Sequence, residues 1–278
     1  MQFKFKSKIG LGTWLMGQNS GDQKKEIKAV EHALACGYEL IDTAEMYASG
    51  MSEKIVGEAL QNFGKSKRAG LTLVSKVLPS NASKKGVIKA CESSIKRMGC
   101  DYLDLYLLHW QGAYPYKETL EGFLELESKG LIKHHGVSNF DCEQMKAWLI
   151  AEKALNARTC ATNQVYYALN ERGIEFELQG YLSQNKITTM AYSPLSTGLL
   201  ANHKGLTAIA KKIDITPAQL ALAWTIRQRD VVAIPKSVNP SRIEENLMAT
   251  QISLGAQVLL ELDALFAPPN RKTTLAVI

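Results

Sequence analysis

The sequence lacks a paired-cysteine pattern, a long apolar run and a glycine-rich phosphate fingerprint, and each absence removes a class of protein. Cys36, Cys91, Cys100, Cys142 and Cys160 are odd in number and never fall as CxxC. They argue against a disulfide framework and a cysteine-rich metal site, and scattered thiols of this kind fit a reducing cytosol. No apolar stretch approaches the roughly 20 residues that a membrane-spanning helix needs. The start, MQFKFKSKIG, alternates polar and apolar residues instead of building the apolar centre of a secretion signal. Lys and Arg exceed Asp and Glu by 33 to 27, a formal charge of +6, yet the basic residues are scattered. Neither nucleic acid nor a membrane surface is expected as a partner, while a phosphorylated small ligand suits the modest positive balance.

What is present is a repeating unit. The 278 residues, 46% hydrophobic, contain no low-complexity linker or break in composition, so residues 1–278 are expected to form one domain with a sizeable core. Eight short apolar segments recur: IGLGTW from Ile9, YELIDT from Tyr38, LTLVSK from Leu71, LDLYLLH from Leu103, KHHGVSN from Lys133, CATNQV from Cys160, ITTMAYS from Ile187 and VVAIPK from Val231. Helical patterns lie between them. Val87, Ile88, Cys91, Ile95 and Met98 keep to one helical face, with Gly99 placed as a C-terminal cap. Thr216 reads as an N-cap followed by Pro217 at the first helical position. Eight strands alternating with helices point to a closed (β/α)8 TIM barrel, and KFKSKIGLG is expected to add an N-terminal β-hairpin beneath its floor. A doubly wound open sheet is the alternative, but the GxGxxG that normally accompanies it is missing.

In a barrel, function gathers where the strands end. Asp42 closes the second segment, Lys76 the third, His109 the fourth, Ser138 and Asn139 the fifth, Gln164 the sixth, Tyr192 and Ser193 the seventh, Lys236 and Ser237 the eighth. Taken singly, each has an ordinary structural explanation: a capping aspartate, a solvated lysine, a satisfied core histidine. Together they make a proton-donating set. A tyrosine hydroxyl, with a reference pKa of about 10, is a poor acid until a neighbouring ammonium stabilises its phenolate. A half-buried lysine in turn needs a carboxylate to stay charged, and a histidine can orient a substrate oxygen.

The segments GTWLMG, IDTAEMY, SEKIVGEAL, SKV, DYLDLYLLHW, GVSNF, NQVYY, AYSPL and IPKSVNPSRIEEN resemble the aldo-keto reductase family, in family order and spacing from about residue 9 to residue 247. The likeness is nearest to its short bacterial aldehyde or methylglyoxal reductases. It implies a tetrad of Asp42, Tyr47, Lys76 and His109, with Tyr47 the general acid, Lys76 lowering its pKa, Asp42 holding Lys76, and His109 orienting a small carbonyl substrate. It also implies NADPH lying across the barrel top, a reductive direction, and a monomer. Ser138, Asn139 and Gln164 would hold the nicotinamide amide, Tyr192 would stack on its ring, and Ser193, Pro194, Leu195 and Gly198 would follow the pyrophosphate. Gly12, Thr13, Trp14 and Ile234 would complete the cofactor contacts.

The last segment also has a reading from its residues. Pro240 suits a helix start, and Arg242, Glu245 and Asn246 share one helical face. Lys236, Ser237 and Arg242 could grip a 2′-phosphate by charge-assisted bonds, leaving Glu245 and Asn246 for the adenine. Trp14 and Trp110 would wall the substrate pocket beside Tyr47 and His109. Gln111, Leu78 and Asn239 depart from residues common in the family. With only GAYPY after Gln111 and APPNRKTTLAVI after Phe266, the loops predict an open, shallow site. Two rivals remain: a cofactor-binding sensor with little turnover, and a phosphate-binding isomerase on the same barrel.

Overall fold

The computed structural model describes residues 3–278, the side chains of residues 65–67 excepted. Eight parallel strands, β1 (Leu11–Gly12), β2 (Leu40–Asp42), β3 (Thr72–Val77), β4 (Leu103–Leu108), β5 (Ile132–Ser138), β6 (Thr162–Tyr166), β7 (Thr188–Tyr192) and β8 (Val231–Ile234), pair in chain order. The ring closes where Ile9 bridges Ala233 and the Gly10 amide donates to the Ala233 carbonyl at 2.8 Å. Gly12 belongs to this seam: a Cβ there would lie 2.6 Å from the Ile234 carbonyl oxygen, too close for any side chain. Among the described residues ten α-helices surround the strands: α1 (Gln23–Ala35), α2 (Met51–Phe63), α3 (Lys84–Met98), α4 (Tyr116–Ser128), α5 (Cys142–Ala154), α6 (Leu178–Gln184), α7 (Lys204–Lys211), α8 (Pro217–Thr225), α9 (Pro240–Met248) and α10 (Ala256–Leu265). None of the described helices is long and apolar enough to cross a membrane.

Alternation along parallel strands divides the core in two. Leu40, Val74, Leu105, Leu107, Met190, Val232 and Ile234 fill the barrel interior, while the opposite faces pack against the helices. Thr216 caps α8 and Asp141 caps α5, each through a reciprocal box with the glutamine three residues on. The expected N-terminal hairpin is not present among the described residues. Residues 3–8 form no strand, and Phe3 and Phe5 meet edge-on at 4.9 Å and pack against the interior cluster from below. Lys8 spends its ammonium on the carbonyls of Gln228, Arg229 and Val231. The Lys–Phe alternation that mimics a strand in the sequence serves here to plug the floor and tie down the approach to β8.

Candidate active site

Lys76, on β3, is the centre of the barrel mouth and is fully buried. Its ammonium donates to Asp42 Oδ2 at 2.8 Å, to the Thr43 carbonyl at 2.8 Å, and to the Tyr47 hydroxyl oxygen at 3.1 Å. Asp42 ends β2, and its second oxygen accepts the Gln164 amide from β6 at 2.8 Å. The His109 ring lies edge-on to the Tyr47 ring with centroids 5.8 Å apart. Strands β2 and β3 and the loop after β2 thus supply the ammonium and its three partners, with Gln164 of β6 bracing Asp42 behind them.

The loop that carries Tyr47 is fixed from both ends. Glu45 accepts the Leu78 amide at 2.7 Å and the Asn81 side chain at 3.0 Å, which ties the loop to the end of β3. On its far side Thr43 meets Ser52 at 3.1 Å, and Ser52 donates to Thr13 at 2.7 Å. Between these ties Ala48 and Ser49 take left-handed backbone angles, so the chain turns sharply after Tyr47 before α2 begins. Glu53 of α2 is buried against Ser75 and Arg97, which anchors the helix beside the strand that bears Lys76.

Electrostatics divides the cluster into distinct states. Burial would strip the proton from Lys76, but Asp42 and Tyr47 outweigh it and raise its pKa above the ordinary lysine value. Burial pushes the Asp42 carboxyl up, with Lys76 and the Gln164 amide pulling against it. An ammonium retained with no solvent needs a counter-charge, so the pair is ionised at neutral pH. Tyr47 differs from the simple expectation: Lys76 pulls its pKa down, yet burial is the larger influence and leaves the hydroxyl above its ordinary value. Burial, with Lys76 beside it, drives His109 down to about 3. The imidazole is therefore neutral at working pH, and among the described residues its Nδ1 is buried with no partner.

Above this cluster opens a cleft of about 560 Å³ lined by Trp14, Met46, Tyr47, His109, Trp110 and their neighbours. Gly12, Asp42, Ser138, Asn139, Gln164, Tyr192, Ser193, Ile234 and Lys236 also face it. Asn139, at φ 58°, donates to the His109 carbonyl at 3.1 Å and accepts the Tyr192 hydroxyl at 2.9 Å. Tyr192 lies flat on Tyr166, their rings 5.8 Å apart and 14° from parallel. A second depression contains Gly198, His203, Lys204 and Arg242. The segment between them, Ser193 to Gly198, carries positive φ at Ser193, Ser196 and Thr197, the last costly for a β-branched residue.

Six of the expected contact residues lie outside the linings of the two depressions. Thr13 is buried below the strand end, donating to the Asp42 carbonyl at 2.9 Å. Leu195 packs on the core, Asn246 is buried, and Glu245 accepts the Ser241 hydroxyl at 3.0 Å. With Pro194 and Ser237, these line neither depression. Ser237 instead bonds Asn239, which caps α9 at the Arg242 amide. Five residues that line the cleft, Met46 among them, lie outside the expected set. Gln111 and Gln144 pair across the rim, and Val277 and Ile278 reach the cleft from the C-terminal tail. The tail folds back, held by Lys272 on Glu177 at 2.8 Å and by Leu275 on the core, so its brevity does not leave the mouth bare.

The profile of the Aldo/keto reductase family matches residues 8–267, and the chain belongs to that family. It is 40% identical over 277 residues to methylglyoxal reductase YeaE of Escherichia coli, covering 97% of this chain and 94% of that protein. It is 35% identical over 259 residues to an aldo-keto reductase of Mycolicibacterium smegmatis, covering 92% of this chain and 88% of that one. A crystal structure of an aldo-keto reductase from Klebsiella pneumoniae in complex with NADPH, 41% identical, superposes with a TM-score of 0.90 over 98% of this chain and 95% of the other. A structure from the same organism with NADP and acetate, also 41% identical, gives 0.91 over the same shares.

Proposed function

We propose that this protein reduces small aldehydes and ketones with NADPH, using Tyr47 as the proton donor. The observation that carries the reading is the buried Lys76 ammonium, held between the Asp42 carboxylate and the Tyr47 hydroxyl at the base of the cleft. The residues present fit the cofactor of the Klebsiella enzyme. Ser138, Asn139 and Gln164 offer amide and hydroxyl groups, Tyr192 offers a flat ring, and Lys204 and Arg242 gather positive charge in the second depression. When bound, NADPH supplies the hydride that a carbonyl carbon accepts.

The chain's own residues do the rest. Tyr47 gives its hydroxyl proton to the carbonyl oxygen, and Lys76 stabilises the phenolate left behind until water restores the proton. Asp42 and Gln164 keep Lys76 charged and aimed. His109, neutral, directs the oxygen by hydrogen bonding and leaves the proton transfer to Tyr47. Trp14, Met46 and Trp110 line the apolar approach and favour small, weakly polar carbonyls. The YeaE likeness makes methylglyoxal the first substrate to try. Lys236 and Arg242 favour a phosphorylated cofactor, hence NADPH over NADH. In this reading residues 1–278 work as one domain and as a monomer, and five free thiols suit the cytosol.

The test is steady-state NADPH oxidation with methylglyoxal and a panel of small aldehydes. Brisk turnover is expected; tight NADPH binding with no oxidation by any carbonyl would instead mark a sensor.

A further inference from the structure

We propose that His32, Cys36 and Glu244 form a zinc site that clasps α1 to α9 on the outside of the barrel. His32 and Cys36 are four residues apart at the end of α1, and Cys36 keeps right-handed angles as its cap, so both side chains leave one face a turn apart. Glu244 comes across from α9. His32 Nε2 lies 2.8 Å from Glu244 Oε1 and 3.4 Å from Cys36 Sγ, and one ligand atom from each residue falls within 4.8 Å of the others.

Two of the three spacings lie near what zinc requires. Bonds of about 2.0–2.3 Å to N, O and S put tetrahedral ligand atoms about 3.3–3.7 Å apart. The Cys36–His32 edge already has that length, and the His32–Glu244 hydrogen bond needs to open by about half an ångström. Mixed sulfur, nitrogen and oxygen donors suit a borderline ion such as zinc, and His32 and Glu244 are open enough for water to take the fourth position. The backbone is already set to receive the ion. The Tyr38 hydroxyl, two residues beyond Cys36, donates to the Ile243 carbonyl, the residue before Glu244, at 2.8 Å and is buried there. The two helices therefore need not move together for the site to form.

Without an ion, burial and the Glu244 charge hold the Cys36 thiol above its ordinary pKa. A divalent ion reverses that balance: the thiol loses its proton to the buffer, the thiolate forms the zinc–sulfur bond, and no electron is transferred. None of the three residues touches the Lys76 cluster, so the site acts as a clamp on the outer helical layer.

The experiment titrates chelator-treated full-length protein with Co²⁺ alone, then with Zn²⁺, for wild type, Cys36→Ser, His32→Gln and Glu244→Gln. Wild type is expected to take up one Co²⁺ per chain, with a near-ultraviolet thiolate-to-cobalt band and the strong visible absorption of four-coordinate cobalt, both bleached by Zn²⁺. Cys36→Ser should lose the thiolate band, and the other two variants should bind at least about tenfold more weakly. Zn²⁺ should raise the unfolding midpoint of wild type and leave that of Cys36→Ser in place, with metal-free midpoints confirming that every variant folds. No stoichiometric uptake, or a thiolate band that survives in Cys36→Ser, overturns the proposal.

Discussion

The Tyr47 hydroxyl lies 3.1 Å from the Lys76 ammonium, and that ammonium has no solvent to lean on. Everything in the proposed chemistry depends on this one contact, because it is where a buried charge and a protonated phenol meet.

Asp42→Ala would leave the Lys76 ammonium buried without a counter-charge. Removing one partner of a buried pair costs about 3–5 kcal/mol, so denaturant unfolding should show a loss of that order. Asp42→Asn keeps the shape and should lose less stability while still lowering turnover. Equal stability of Asp42→Ala and wild type would mean that Lys76 is neutral in the folded protein.

The pH profile of reduction should lack a histidine ionisation. His109 titrates at about 3, far below its reference value, so it stays neutral across the working range. Reduction needs Tyr47 protonated, and its pKa is raised in the unliganded protein. The rate with saturating cofactor should therefore be flat through neutrality and fall only at alkaline pH. Stability gives the complementary signal. The unfolded chain binds a proton on His109 below about 6.5, while the folded chain does so only near 3. This contribution is present above about pH 6.5 and is lost as pH falls toward 3. A rate profile with a midpoint near neutrality that moves in His109→Gln would contradict the assignment.

Arg242→Ala removes a guanidinium from the second depression without disturbing a buried group. A charge-assisted bond to a 2′-phosphate is worth about 1.5–3 kcal/mol, so the preference for NADPH over NADH should fall by about 10- to 100-fold. The KM for NADH should scarcely change. An unaltered preference would place the phosphate elsewhere.

Removing residues 276–278 should loosen substrate selection, because Val277 and Ile278 line the cleft beside Tyr192. Bulky aldehydes should gain relative to methylglyoxal in kcat/KM, with the unfolding midpoint little changed, since Leu275 keeps its place on the core. A midpoint that collapses instead would make the tail a structural strap.

The barrel was legible because parallel strands buried on both faces read as apolar runs, and each run here ends in a polar residue at the mouth. Asp42, Lys76 and His109 announce themselves by that position. Less visible was the role of Gln164, whose amide holds the carboxylate of Asp42, a pairing between residues 122 apart in the chain. The N-terminal hairpin failed for a local reason: alternating Lys and Phe satisfy a strand pattern equally well when Phe packs upward and Lys seeks carbonyls. Loop length alone misread the tail, whose path depends on Lys272 finding Glu177. The His32–Cys36–Glu244 cluster has a helical spacing for two members, but the third joins only through the packing of α9 on α1.

The most direct test compares wild type with Tyr47→Phe, measuring single-turnover reduction of methylglyoxal alongside NADPH binding. The variant keeps the ring and loses only the hydroxyl that contacts Lys76. NADPH affinity should be retained while the rate falls by about 10²–10⁴-fold, the usual contribution of a positioned general acid. A variant that reduces methylglyoxal at the wild-type rate would contradict the account, because the proton would then come from a group other than Tyr47.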